Sequence, residues 1–377
     1  MQKVILAPDS FKGTMSSTRV CQLMETQIRQ HFPAAVIKKI PVADGGEGTV
    51  ECFLEAVGGQ RIAVKVKGPY FEALDAFYGR LADGETAVIE MAAAAGLPLV
   101  ELRPNPALTT TYGVGQLIKH AVESGCRKII IGLGGSCTND GGCGLAAALG
   151  ARFLDRQNRE FVPVGGTLDQ ITAINTSGML PQLVDCDLIA MCDVDNPLYG
   201  VNGAARIYGP QKGADPTMVE LLDQNLTYLG KQLQTELNLN VSELPGAGAA
   251  GGMGAGVVAF LGAQLRPGID TVLDTVDFAT LLTGTDLIFT GEGRIDGQSL
   301  RGKVVSGIAK RAGGRGIPVI AVVGDIGAEI DRIYHQGVTA VVSINRVAVP
   351  FETARLRCEQ DLSLTMDTIM RLLKLGR

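Results

Sequence analysis

Seven short runs rich in Val and Ile punctuate the chain, at 4–7, 36–42, 129–133, 188–191, 287–290, 319–323 and 340–344. Most lack the polar alternation of a half-exposed strand. They predict strands buried on both faces, as in a parallel sheet covered by helices. Helical periodicity fills the gaps. Residues 18–31 place Val20, Leu23, Met24 and Ile28 on one face, with Ser16 or Ser17 as cap. The last periodic stretch carries Leu356, Leu362, Met366, Ile369, Met370 and Leu373, with Thr353 as the expected cap. Strands alternating with helices predict an α/β fold.

The middle of the chain has a different pattern. Residues 61–67, 73–81 and 86–91 alternate as antiparallel strands, with turns at Gly68-Pro69 and Asp83-Gly84. A further hairpin is expected from 151–154 and 160–164 around a turn at 155–159. The expectation is therefore two domains: a Rossmann-like parallel-sheet α/β domain with a second, mixed α/β domain inserted into it. The first takes 1–62 and 284–377, with 105–150 as a candidate addition. The second takes part of 63–283. No internal repeat is visible.

A length of 377 residues agrees with two domains. Apolar residues at 46% and charged residues at 19% exclude a disordered chain. A net charge of -5 leaves no basic excess for nucleic acid, so no nucleic-acid partner is expected. The 49 glycines, roughly twice the usual share of ~7%, must serve tight turns and close backbone approach. The eight cysteines form no CxxC pair and only three histidines are present, which argues against zinc and for reduced thiols in the cytoplasm. The apolar run after Lys3 is too short for a secretion signal. The uncharged stretch 246–265 is too glycine-rich for a membrane span and reads as a loop entering a buried helix.

Five predicted strands or strand-like runs end in loops that pair small residues with carboxylates, at 7–13, 43–49, 134–142, 192–197 and 290–297. Ligands of open parallel sheets bind beyond the carboxyl ends of the strands, so these loops are candidates for one shared site. Glycine-exposed N–H groups cradle phosphates, and carboxylates hold magnesium or accept a hydroxyl proton. With almost no histidine available, phosphoryl transfer fits better than hydride or acyl transfer. Residues 297–304 have the spacing of a phosphate-binding Walker loop, but Val304 stands where Ser or Thr belongs. Residues 246–251 match GxGxxG without a preceding strand, which leaves an NAD(P)-dependent oxidoreductase of a small hydroxy acid as the alternative enzyme. A two-domain small-molecule binding protein is the non-enzymatic alternative.

Structural roles are available for several of the same residues. Asp193 and Asp195 precede Asn196-Pro197, which is turn chemistry. Asp44 and Glu47 suit the start of a helix near Thr49. Arg294, Asp296 and Arg301 could form a surface ion-pair cluster, and Lys12 could be a solvated side chain. Asp215-Pro216 reads as a helix start, and His120 as a structural residue.

Seven ordered segments, APDSFKG (7–13), VADGGEGT (42–49), GGSCTNDGG (134–142), CDVDNPL (192–198), GPQKGA (209–214), PGAGAAGG (245–252) and TGEGRIDGQSLRGK (290–303), resemble the motif series of the glycerate kinase type 1 family. The resemblance runs from Lys3 into the final helix, and Cys137 stands where that family often has Ala. It implies an ATP-dependent, Mg2+-using kinase of D-glycerate with two α/β domains and a cleft between them. The expected product is 2-phosphoglycerate, with 3-phosphoglycerate as the alternative. The site expected on that basis has Asp193 as base or metal ligand and Lys303 neutralising phosphate charge. Ser10, Lys12, Asp44 and Arg294 are the expected acceptor-binding residues, with Lys12 or Arg294 holding the carboxylate. Asp44, Glu47 and Asp193 would hold magnesium, directly or through water. Gly134, Gly135, Ser136, Thr138, Asn139, Gly291 and Gly293 would line the nucleotide. No membrane partner is expected, and nothing in the residues speaks to oligomeric state.

Overall fold

The strand Val319–Val323 shows why the apolar runs lack alternation. Ile320 and Val322 join one buried cluster, with Val20, Met24 and Ile28 of the helix Ser17–His31 and Leu362, Met366 and Met370 of the helix Phe351–Leu375. Ala321 and Val323 point the other way, into a second cluster with Val305 and Ala309 of the helix Val304–Gly313. Successive side chains leave opposite faces of a strand, so a sheet covered on both faces needs apolar residues throughout. The computed structural model that gives this picture describes residues 1–43, 45–297 and 304–375. Asp44 and Lys303, both expected site residues, lie outside the described residues.

Five parallel strands form the first sheet, in the order Ala340–Ser343, Val319–Val323, Leu287–Gly291, Lys3–Pro8, Val36–Lys39. The second sheet is mixed. Gln264–Arg266, Asp187–Met191, Lys128–Gly132 and Thr86–Glu90 run parallel, and Ala73–Leu81 and Gly59–Lys67 continue it as an antiparallel pair. A small sheet of Glu160–Phe161, Arg152–Leu154 and Ala173–Asn175 carries the expected hairpin.

The chain divides into two units. The first holds Met1–Ala43, Glu51–Val57 and Ile269–Arg377, and the second holds Asp44–Val50 and Gly58–Gly268. Three details differ from the sequence reading. Residues 129–133 belong to the second sheet. For the same reason 105–150 lies in the second unit: Lys128–Gly132 pairs with Thr86–Glu90 and Asp187–Met191. The run 36–42 is a strand only over Val36–Lys39, an edge with alternating exposure. The last helix begins at Phe351, directly after Pro350, and the Thr353 N–H already bonds Pro350 O at 2.9 Å. Thr353 is thus inside the first turn rather than its cap.

The caps expected at Ser16 and Asp215 are present. Ser16 Oγ accepts the Arg19 N–H at the start of Ser17–His31, and Asp215 does the same for Met218 at the start of Pro216–Leu237. His120 sits on Tyr112–Glu123, with Nδ1 3.2 Å from the Tyr78 hydroxyl. Residues 246–265 contain the helix Ala249–Leu261, and no helix among the described residues is long and apolar enough to cross a membrane.

Candidate active site

In the first unit, the chemistry-bearing loops leave the carboxyl ends of Lys3–Pro8 and Leu287–Gly291. These strands are paired in register to their last residues, Pro8 beside Gly291, and the Asp9 N–H bonds Gly291 O at 2.8 Å. Phe11 is buried and exchanges backbone hydrogen bonds with Met15, so 11–15 is a tight turn that presents Lys12 to solvent. Gly13 at its tip has φ +76°, a conformation open to glycine. Gly293 approaches this turn: a Cβ there would lie 3.4 Å from Lys12 N and Phe11 Cα. A Cβ on Gly291 would stand 1.9 Å from Val322 O, so packing requires a glycine there. Arg294 is exposed and lies 3.7 Å from Asp296 and 3.9 Å from Asp325. The unit therefore brings Ser10, Lys12, Gly291, Gly293 and Arg294 to one end of its sheet.

In the second unit, three loops meet at the carboxyl ends of Thr86–Glu90, Lys128–Gly132 and Asp187–Met191. The segment 45–50 crosses these ends. Gly134 N–H donates to Gly45 O at 2.9 Å, and Glu90 Oε1 accepts the Val50 N–H at 2.7 Å. Backbone packs on backbone here. A Cβ on Gly134 would come within 2.6 Å of Gly46 Cα, and one on Gly132 within 2.4 Å of Gly45 O. Gly45 itself packs on Met191, two residues before Asp193. Asp193 and Glu47 are both exposed, and Asp193 Oδ1 accepts the Gly268 N–H at 2.9 Å.

The loop 134–142 divides into an open and a closed half. Gly135 is exposed with φ +73°, and the N–H groups of Gly135 and Ser136 have no acceptor among the described residues. Beyond them the chain turns inward: Ser136 is 5% exposed, and Thr138, Asn139 and Asp140 are fully buried. In this arrangement Gly134 and Gly135 are open to a ligand, Ser136 stands at the boundary with its N–H unpaired among the described residues, and the Thr138 and Asn139 side chains are enclosed. Asp140 accepts from Thr111 N at 2.7 Å, Thr111 Oγ1 at 2.9 Å, Gly142 N at 3.1 Å and Gly144 N at 3.2 Å. It thereby ties together the starts of the helices Tyr112–Glu123 and Cys143–Ala148. Burial pushes its carboxyl above the usual range, against the pull of these donors.

Two residues with no role in the sequence reading belong to this region. Glu90 is 2% exposed and ends the otherwise apolar strand Thr86–Glu90. Its signal in the sequence is an acid that directly follows the apolar run Ala87-Val88-Ile89. Lys212, in the segment 209–214, is also 2% exposed. Its Nζ donates to Ser136 Oγ at 2.8 Å and to Thr138 O at 2.7 Å. Desolvation lowers its pKa to about 8, while Cys137 and Asp140 pull it upward.

The profile of the glycerate kinase family matches residues 4–374. The chain belongs to the glycerate kinase family. It is therefore a kinase, and the oxidoreductase reading of 246–251 has no support. Among relatives in the family, a glycerate kinase of Bacillus subtilis (strain 168) is 44% identical over 376 residues, covering 100% of this chain and 98% of the relative. A glycerate 2-kinase of Escherichia coli (strain K12) is 46% identical over 343 residues, covering 91% and 90%. A crystal structure from Salmonella typhimurium LT2, described as a glycerate kinase 2, superimposes with a TM-score of 0.89 at 42% identity, covering 100% of this chain and 99% of that one. The α/β fold with its two sheets is thus that of a solved member of the glycerate kinase family.

The expected magnesium ligands can be tested against the donor set. Among the described residues no group of three His, Cys, Asp or Glu side chains is placed to hold a metal. Magnesium at phosphoryl-transfer sites usually takes one or two carboxylates, with water and phosphate oxygens completing the shell. Glu47 and Asp193 are exposed carboxylates on loops that adjoin through Gly45 and Met191.

Proposed function

We propose that this chain transfers the γ-phosphoryl group of ATP to the 2-hydroxyl of D-glycerate, giving 2-phosphoglycerate and ADP. The observation that carries the reading is the open half of the loop 134–142: two uncommitted backbone donors on an exposed glycine turn, at the end of a parallel strand, in a chain of a kinase family. Such donors suit phosphate oxygens. The name of the E. coli relative, a glycerate 2-kinase, favours the 2-hydroxyl.

In this reaction the acceptor hydroxyl oxygen attacks the γ-phosphorus, the bond from that phosphorus to the β–γ bridging oxygen breaks, and ADP leaves. Asp193 takes the hydroxyl proton, its carboxylate oriented by the Gly268 N–H. On the first unit, Lys12 or Arg294 is the cation for the acceptor's carboxylate, and Ser10 adds a hydroxyl. Gly134, Gly135, Ser136, Thr138 and Asn139 are the nucleotide-binding candidates of the second unit, with Thr138 and Asn139 acting from within the fold, and Gly291 and Gly293 are those of the first. Glu47 and Asp193 would hold magnesium, joined by Asp44, and Lys303 would neutralise phosphate; Asp44 and Lys303 lie outside the described residues. Magnesium, when bound, supplies charge neutralisation at the phosphate oxygens. All eight cysteines are unpaired thiols, which supports a reducing compartment such as the cytoplasm.

Phosphorus NMR of the product made from D-glycerate and Mg-ATP tests the reading. A phosphorus signal coupled to one methine proton is expected. Coupling to a methylene pair would move the acceptor to the 3-hydroxyl, and release of inorganic phosphate alone would overturn the proposal.

A further inference from the structure

Lys212 is a buried cation whose hydrogen-bond partners are both neutral. An ammonium has three donors. One goes to Ser136 Oγ and one to Thr138 O, and the third has no acceptor among the described residues. The acids and thiols that act on it are two. Cys137 is itself buried, with its thiol pushed up to about 12 and so uncharged. Asp140 spends its oxygens on Thr111, Gly142 and Gly144. A charge enclosed without a bonded counter-ion is the unfavourable case for burial. A neutral amide could supply two donors to the same acceptors without that penalty, so loop-holding alone does not account for a lysine here.

The neighbours of Lys212 are also incompletely satisfied. Thr138 Oγ1 and both polar atoms of the Asn139 amide are buried and have no hydrogen-bond partner among the described residues. The backbone around them is tightly constrained. Gly251, at φ +70°, lies so close that a Cβ would stand 2.0 Å from Thr138 O. Lys212 ends the short turn Pro210–Lys212, and Gly213, at φ +93°, follows it against Pro104. A rigid frame thus surrounds polar groups that lack a final partner, two to four residues along the chain from the open donors of Gly135 and Ser136.

We propose that Lys212 is a positioning residue of the kinase reaction: by bridging Ser136 and Thr138 it aims the Gly135 and Ser136 N–H groups at the nucleotide's phosphates, and the phosphate charge supplies the counter-ion that the buried ammonium lacks. The inference rests on the reading that this loop carries the nucleotide. Because Lys212 holds its proton less firmly than an ordinary lysine, an arriving anion raises its proton affinity, and binding near pH 8 draws a proton from solvent.

Two measurements test this on the full-length enzyme. Calorimetric titration with Mg-ADP at pH 8, in two buffers of different ionisation heat, should show fractional proton uptake in the wild type. Steady-state kinetics of Lys212→Met should show the KM for ATP raised at least about tenfold, the scale of one lost charge-assisted hydrogen bond, with the KM for glycerate changed under about threefold. Ser136→Ala should shift the two constants in the same unequal way by a smaller factor. Uptake together with the selective rise supports the proposal. Absence of proton uptake, or equal changes in both KM values, overturns it. If Lys212→Met fails to fold, Ser136→Ala and the wild-type uptake decide by the same criteria. Failure of the parent reading would show separately, as a wild-type enzyme that makes no phosphoglycerate.

Discussion

The Glu90 carboxylate accepts the Val50 N–H at 2.7 Å. Together with the Gly134 N–H bond to Gly45 O, this pins both ends of the 45–50 segment across the strand ends. The segment carries Glu47, so its position sets where that carboxylate stands. Glu90→Ala leaves the Val50 N–H buried without an acceptor and should destabilise the fold by about 1–3 kcal/mol. Glu90→Gln keeps an acceptor oxygen and should lose less. Urea unfolding of both variants measures the difference; equal stabilities for the two would rule out an acceptor role.

Gly251 meets two demands at once. Its φ is +70°, and a Cβ would stand 2.0 Å from Thr138 O. Neither neighbour is a flexible side-chain end, so the backbone itself must shift. Gly251→Ala should destabilise by more than the ~1 kcal/mol of a left-handed alanine alone, and should reduce nucleotide affinity by displacing 136–139. Thermal unfolding and ATP titration check both effects. An active variant with wild-type stability would show that the loop can move aside freely.

Asp193 is exposed, and its Oδ1 accepts the Gly268 N–H at 2.9 Å. Asn presents the same acceptor oxygen, so Asp193→Asn should fold normally. Turnover should fall by at least about 100-fold, the usual scale for removing a general base. Near wild-type turnover in the folded variant would exclude both the base and the metal-ligand roles.

The lowered pKa of Lys212 makes stability depend on pH in a definite direction. Its folded value of about 8 lies below the ordinary 10.5. Between those values the unfolded chain holds a proton that the folded chain has released, so the Lys212 contribution to stability rises with pH through that window. Below about pH 8 the penalty of burying the charge is present in full. The stability of wild type minus that of Lys212→Met should therefore grow from pH 8 towards 10.5. A flat difference across the window would mean that the lysine titrates normally.

Much of the fold could be read from short stretches. Ser16 before a 3.6-residue apolar period specifies the helix Ser17–His31, and Asp215-Pro216 specifies the start of Pro216–Leu237. Both depend only on neighbours within a turn, which is why they are legible. Thr353 misled because Pro350, three residues earlier, already suits a helix start, and the cap signals overlap. Glu90 could have been noticed, since an acid that follows the apolar run 87–89 has no packing reason to be there.

By itself the sequence determined the element types, the α/β class, the strand-end loops of glycine and carboxylate, and the kinase family they belong to. These follow from periodicity and motif order, which are properties of contiguous residues. Only the tertiary structure decided which strands share a sheet and which polar groups are enclosed. Residues 129–133 and 319–323 look alike because each is covered on both faces; their partners, far away in the chain, assign them to different sheets. Lys212 and Ser136 are 76 residues apart, and no local pattern says that the lysine is buried rather than solvated. Burial and hydrogen-bond partnership are set by chain segments that meet only on folding, and the state of every charge in the loop 134–142 follows from that meeting.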